Sequence, residues 1–164
     1  MILQPITIKP FHDFRGKYFE SFNLKKIKKK YKIDFVQDDF SYSKKNVLRG
    51  FHGDSHTWKM FTCIFGKIQF AIINYDKNSK KFKKNESIIL SENSNTQILV
   101  PPKHGVAHLI LSKRAILHYK QTTYYKQYKQ FTISYKSPCL KFKWKSKKFI
   151  LSERDKGNKA IILE

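Results

Sequence analysis

The sequence predicts an all-β protein, a sandwich or jelly roll with one short helix near its start. Three observations carry this. Apolar residues alternate or fall in short β-branched and aromatic runs, turn residues bound those runs at even spacing, and only one segment has the period of a helix. The strongest runs are 61–65, 67–74, 96–100, 106–111 and 115–119. Between them stand Gly66, the cluster at 75–79 and Pro101-Pro102. Glycine admits positive φ, proline fixes φ, and Asn or Asp side chains bond their own backbone, so each marks a turn for its own reason. Many short strands with one helix must bury their apolar faces sheet against sheet.

The helix is expected over 22–31, where Leu24, Ile27 and Tyr31 share one face and lysines fill the other, with Ser21 as its cap. That lysine run reads as a solvated face. No repeat, linker or compositional shift divides the chain, and 164 residues suffice for one domain spanning 1–164 with a sizeable core.

The formal net charge is +22, from 34 Lys and Arg against 12 Asp and Glu. Such an excess points first to a polyanion. Lysine far outnumbers arginine, however, and readers of nucleic acid rely on arginine for bidentate contacts. The charge therefore reads as lysine on solvated faces, with no nucleic acid partner, although a basic chain favours an anionic substrate such as a nucleotide diphosphate and speeds its capture. Cys63 and Cys139 match no zinc or redox spacing, which fits free thiols in an intracellular protein. No apolar stretch is long enough to span a membrane and no signal peptide opens the chain, so no membrane association and a cytoplasmic location are expected.

Three segments place polar residues where strand sequence would carry apolar ones. They are Leu48-Arg-Gly-Phe-His-Gly-Asp-Ser-His-Thr-Trp-Lys59, Val100-Pro-Pro-Lys-His-Gly-Val-Ala-His108 and Tyr119-Lys-Gln-Thr-Thr-Tyr-Tyr125. Singly, a histidine on a strand or one of nine tyrosines says little. The spacings His52/His56 and His104/His108 would allow a metal. The usual cupin signature of H-x-H followed by glutamate is missing, so no metal is expected.

Read together, these segments resemble the nucleotide-sugar 3,5-epimerase family best known for acting on dTDP-4-keto-6-deoxyglucose in rhamnose synthesis. Phe11-His-Asp-Phe-Arg-Gly-Lys-Tyr-Phe-Glu20 looks like its F-x-D-x-R-G-x-F-x-E, and Phe35-Val-Gln-Asp-Asp-Phe-Ser-Tyr-Ser43 like its Q-x-x-x-S-x-S. Leu48-Arg-Gly-Phe-His52 fits R-G-[LF]-H, Pro102-Lys-His-Gly-Val-Ala-His108 fits P-x-G-x-A-H with one extra residue, Tyr119 to Tyr125 fits Y-x5-Y, and Leu151-Ser-Glu-Arg-Asp155 fits L-S-x-[KR]-D. The resemblance covers most of the chain and implies a cupin-like jelly roll, or double-stranded β-helix. It makes His52 the general base, Asp155 its orienting carboxylate, Lys59 the stabiliser of the enolate and Tyr125 the acid on the opposite face of the sugar. His108, Glu20 and Gln37 resemble sugar-pocket residues, and Arg15 and Arg49 resemble groups that hold the diphosphate. The family's N-terminal arm usually crosses to a second subunit, which implies a homodimer in which Arg15 serves its neighbour.

The chemistry asks for the same cast. A proton beside a ketone is weakly acidic, so its base must be poised near neutral pH, where histidine serves best. A carboxylate on the far ring nitrogen fixes the tautomer. Charge developing on the C4 oxygen needs a cation already in place, and inversion needs an acid across the ring, for which Tyr124 and Tyr128 are alternatives to Tyr125. No cofactor is required, because the ketone is itself the electron sink.

The chain departs from the family after His52, where Gly53-Asp-Ser-His-Thr-Trp-Lys59 looks more like a branch acting on GDP-4-keto-6-deoxyheptose in capsule synthesis. That substrate is the one favoured here over the dTDP-hexose. Leu109 replaces a glycine and implies an altered pocket floor, and Trp144-Lys145 stands where W-P is usual. Three other functions stay open, a sugar 3,4-ketoisomerase on the same fold, a catalytically dead or sugar-sensing β-barrel, and a basic nucleic-acid-binding β domain with aromatic stacking platforms. The last would have no use for His52, Lys59, Tyr125 and Asp155 together.

Overall fold

Alternating side chains build two five-stranded antiparallel sheets in the computed structural model, which describes residues 2–157 and 159–164. In chain order the elements are β1 (Gln4–Thr7), β2 (Phe11–Asp13), β3 (Gly16–Tyr18), α1 (Leu24–Tyr31), β4 (Gln37–Lys44), β5 (Leu48–Gly53), β6 (Lys59–Phe65), β7 (Lys67–Asn74), β8 (Asn85–Ser91), β9 (Thr96–Val100), β10 (His104–Ile110), β11 (Arg114–Gln121), β12 (Phe131–Thr132) and α2 (Glu153–Lys156). One sheet has the order β1-β9-β6-β11-β4, the other β12-β5-β10-β7-β8, and β2 and β3 form a separate hairpin. This is the expected all-β jelly roll.

Phe61, Phe70, Ile72, Ile98 and Leu117 fill the space between the sheets. A second core lies behind β5, β10 and β7, where Leu48, Phe51, Ala71, Ile73 and Leu109 pack under Phe142, Trp144 and Phe149 of the C-terminal segment. Strand β7 serves both cores, which is why its sequence is almost continuously apolar. Two side-chain amides dock the segment. Gln69 donates from Nε2 to Lys143 O (2.9 Å) and accepts from Lys145 N (2.7 Å), while Asn85 donates to Cys139 O (2.9 Å) and accepts from Lys141 N (2.8 Å). Each amide satisfies strand-like backbone that no neighbouring strand reaches.

Helix α1 starts later than expected. Its cap is Asn23, whose Oδ1 accepts from Lys26 N (3.2 Å), while the Ser21 carbonyl is taken by Gln97 on β9 (2.9 Å). No residue of α1 is fully buried, in keeping with the lysine-covered face. Among the described residues no helix is long and apolar enough to cross a membrane. Both cysteines are free.

Candidate active site

Inward-facing residues of both sheets line a cavity of about 490 Å³. His52 reaches it from β5, Lys59 and Phe61 from β6, His108 from β10, Tyr119 and Gln121 from β11, and Tyr125 from the connection after β11. Arg49, Arg154 and Asp155 complete its charged rim.

His52 is aimed from behind. Its Nε2–H donates to Asp155 Oδ1 at 2.6 Å, a geometry that leaves Nδ1 as the ring's basic atom. Asp155 is buried in α2 and also accepts from the hydroxyl of Ser152, its N-cap residue, at 2.8 Å. Burial alone would raise this carboxyl, but the bonds from His52, Ser152 and the Gly50 backbone outweigh it and hold it below the ordinary carboxylate value. The close approach of β5 to β10 depends on Gly50. Its φ is +106°, and a Cβ there would lie 2.2 Å from Val106 O.

Lys59 has no hydrogen-bond partner for its ammonium among the described residues. Burial lowers its pKa, Asp54 and Asp39 pull the other way, and Arg154 reinforces the lowering. His108 is pushed down to about 3 by burial, with Arg49 and His52 adding to the effect, so it is neutral. Its Nε2 is buried without a hydrogen-bond partner among the described residues. Tyr119 is pushed up to about 12, by burial first and then by Asp39. A base held by a carboxylate, a desolvated ammonium, a neutral imidazole and an exposed phenol thus share one cavity, the groups that proton transfer beside a carbonyl uses.

Of the residues singled out in the sequence, His52, Lys59, Tyr125, Asp155, Arg49 and His108 meet in this cavity. Gln37 stands just behind it, accepting from Tyr125 N (2.8 Å) and donating to both oxygens of Asp39. Arg15 and Glu20 lie elsewhere in the chain. Arg15 sits at the tip of the β2–β3 hairpin, paired with Asp13 (2.5 Å), and Glu20 accepts from Lys26 (2.6 Å) and Asn23 (3.0 Å) near α1. Leu109 does not touch the cavity floor, since its side chain belongs to the second core. Sequence reasoning passed over Ser41, Gln121, Gln130 and Arg154, which also line the cavity. Strand parity would have found Gln121, two residues from Tyr119. Among the described residues no three of His, Cys, Asp and Glu gather as metal ligands.

Comparison with known proteins identifies a family. A family profile described as dTDP-4-dehydrorhamnose 3,5-epimerase matches residues 3–162. The dTDP-4-dehydrorhamnose 3,5-epimerase of Escherichia coli K12 is 32% identical over 161 residues, covering 94% of this chain and 85% of that protein. The enzyme of the same name from Salmonella typhimurium LT2 is 32% identical over 88% of this chain and 80% of its own. A crystal structure of dTDP-6-deoxy-D-glucose-3,5-epimerase from Legionella pneumophila, in complex with dTDP-4-keto-L-rhamnose, superposes with a TM-score of 0.90 at 31% identity, covering 98% of this chain and 87% of that one. The jelly roll is therefore the cupin fold of these enzymes, and this chain, an isomerase of the epimerase type, belongs to the dTDP-4-dehydrorhamnose 3,5-epimerase family.

Proposed function

We propose that residues 1–164 form one epimerase domain that inverts C3, C5 or both in a nucleotide-linked 4-keto-6-deoxy sugar, with dTDP-4-keto-6-deoxyglucose as the favoured substrate. The observation that carries this reading is the convergence of the His52–Asp155 pair, Lys59 and Tyr125 on one cavity. His52 Nδ1 takes the proton beside the ketone, the C–H pair becomes a C=C bond to C4, and the carbonyl π pair moves onto the C4 oxygen. Asp155 steadies the imidazolium, and the Lys59 ammonium faces the enolate oxygen. The electrons then return to carbon as Tyr125 delivers a proton from the opposite face, so no cofactor is consumed. Neutral His108 offers its free Nε2 to the sugar, Arg49 meets the diphosphate, and Gln37 holds the backbone of Tyr125. Arg15 and Glu20 lie on the N-terminal arm and serve the neighbouring cavity of a homodimer.

The pattern that pointed to a GDP-heptose has another use in this chain. Asp54 and Thr57 are both buried, and they hold the turn between β5 and β6 instead of lining the cavity. The relatives' names favour dTDP instead. Proton NMR in D₂O, with dTDP-4-keto-6-deoxyglucose and GDP-4-keto-6-deoxyheptose offered separately, tests the reading. Deuterium at C3 or C5 of the dTDP sugar is expected, and His52→Asn should lower it by about 10²- to 10⁴-fold. Exchange of the GDP sugar alone would restore the heptose reading. A shifted carbonyl without inversion would make the protein a ketoisomerase.

A further inference from the structure

The turn that joins β5 to β6 does more than link the base to the lysine. Asp54 Oδ1 accepts from the backbone N–H of His56 (2.9 Å) and of Thr57 (2.7 Å), and the Asp54 carbonyl accepts from Lys103 N (2.7 Å). So braced, the turn presents the His56 ring at the surface, where it stacks on Tyr128 with centroids 4.0 Å apart and planes 16° apart. Tyr128 stands three residues beyond Tyr125 in the connection between β11 and β12. The near end of that connection is tied to the same turn, through Thr57 Oγ1 to Thr123 Oγ1 (2.7 Å) and Trp58 N to Thr122 Oγ1 (3.0 Å). Tyr125 lies between the two attachments, where its backbone N–H also donates to Gln37 Oε1 (2.8 Å). It is 57% exposed, and its hydroxyl makes no hydrogen bond among the described residues, so the course of the loop decides where that hydroxyl sits.

We propose that His56 and Tyr128 form an aromatic clamp that sets the reach of Tyr125 across the sugar, which makes both of them positioning residues for the second proton transfer. The proposal rests on the epimerase reading above. His52 is held independently by Asp155, so loosening the clamp separates the two halves of the reaction. A displacement of about 1 Å at a reacting group costs on the order of a hundredfold in rate, whereas a stack can be rebuilt by any ring of similar size.

The experiment compares His56→Ala, Tyr128→Leu and His56→Phe with the parent protein in D₂O, following dTDP-4-keto-6-deoxyglucose by NMR. Deuterium incorporation without inversion and formation of inverted product are measured separately. In His56→Ala and Tyr128→Leu, inversion is expected to slow by about ten- to a hundredfold while deuterium incorporation at the carbon facing His52 changes little. His56→Phe should recover inversion. Unchanged inversion in both loosened variants overturns the clamp, and so does a parallel fall of incorporation and inversion that His56→Phe does not repair. A parent protein that neither exchanges nor inverts the sugar defeats the epimerase reading and the positioning role with it, whereas an active parent with an unaffected His56→Ala defeats the clamp alone.

Discussion

At the scale of single residues, the cavity sets two histidines in different surroundings. His108 and His52 both face the cavity, yet only His52 has a carboxylate at its back, 2.6 Å away. Burial without a carboxylate partner drives His108 down to about 3 and leaves it a neutral hydrogen-bonding group. Removing the carboxylate from the other histidine should therefore remove its use as a base. Asp155→Asn keeps the shape of the side chain but offers an amide that can donate to Nε2, stabilising the tautomer whose proton sits on the catalytic nitrogen. Turnover is expected to fall by about 10²- to 10⁴-fold with little change in KM, as steady-state assays with the dTDP sugar would record. A rise in KM at constant kcat would instead make Asp155 a contributor to substrate binding.

At the scale of elements, β5 and α2 set the base, and the close approach of β5 to β10 rests on one glycine. Gly50→Ala places a methyl group against the Val106 carbonyl and asks an L-residue to hold φ of +106°. A loss of stability of more than about 2 kcal/mol is expected in urea denaturation, and an unchanged midpoint would mean that β5 and β10 can part without cost. Strands β6, β7, β9, β10 and β11 were legible in the sequence because their side chains are buried on at least one face, which writes apolar alternation into the chain. Strand β4 was not legible as a strand, since Gln37-Asp-Asp-Phe-Ser-Tyr-Ser-Lys44 alternates half-buried polar residues with exposed rings and charges, the reverse of the usual pattern. The segment after β12 was equally silent, because Phe142 and Trp144 alternate like a strand but are held by the side chains of Gln69 and Asn85. The cavity histidines, Lys59 and Asp155 were legible from motif order. Arg154, which bonds Thr132 (2.8 Å) and Gln130 (2.9 Å), fills the basic place of the closing motif, but that motif was read only for Asp155.

At the scale of the whole molecule, the net charge of +22 acts on capture and on acid stability. A dianionic nucleotide substrate should be drawn in from a distance, so kcat/KM is expected to fall as salt shortens the screening length to about 10 Å at 0.1 M, with kcat unchanged. A salt-independent kcat/KM would show that lysines remote from the cavity add nothing to capture. Acid acts through particular groups. His108 has a pKa of about 3 when folded, against 6.5 for an ordinary histidine. Between those values the unfolded chain binds a proton that the folded chain refuses, so stability falls as pH drops below 6.5. Asp155 and Asp38 add a later loss. Burial raises both, but hydrogen bonds outweigh it, from His52 and Ser152 on Asp155 and from Lys120 and His118 on Asp38, leaving each below 3.8. Their stabilisation is complete above that value and disappears as pH falls through the lowered folded pKa values. Urea midpoints measured from pH 7.5 to 4 should therefore decline from 6.5 downward, before any carboxylate titrates. His108→Asn removes one titrating site without altering the other charges, and its decline over that range should be shallower than the parent's. Equal slopes in the two proteins would assign the early acid loss to groups other than His108, among them His104, whose pKa burial also lowers.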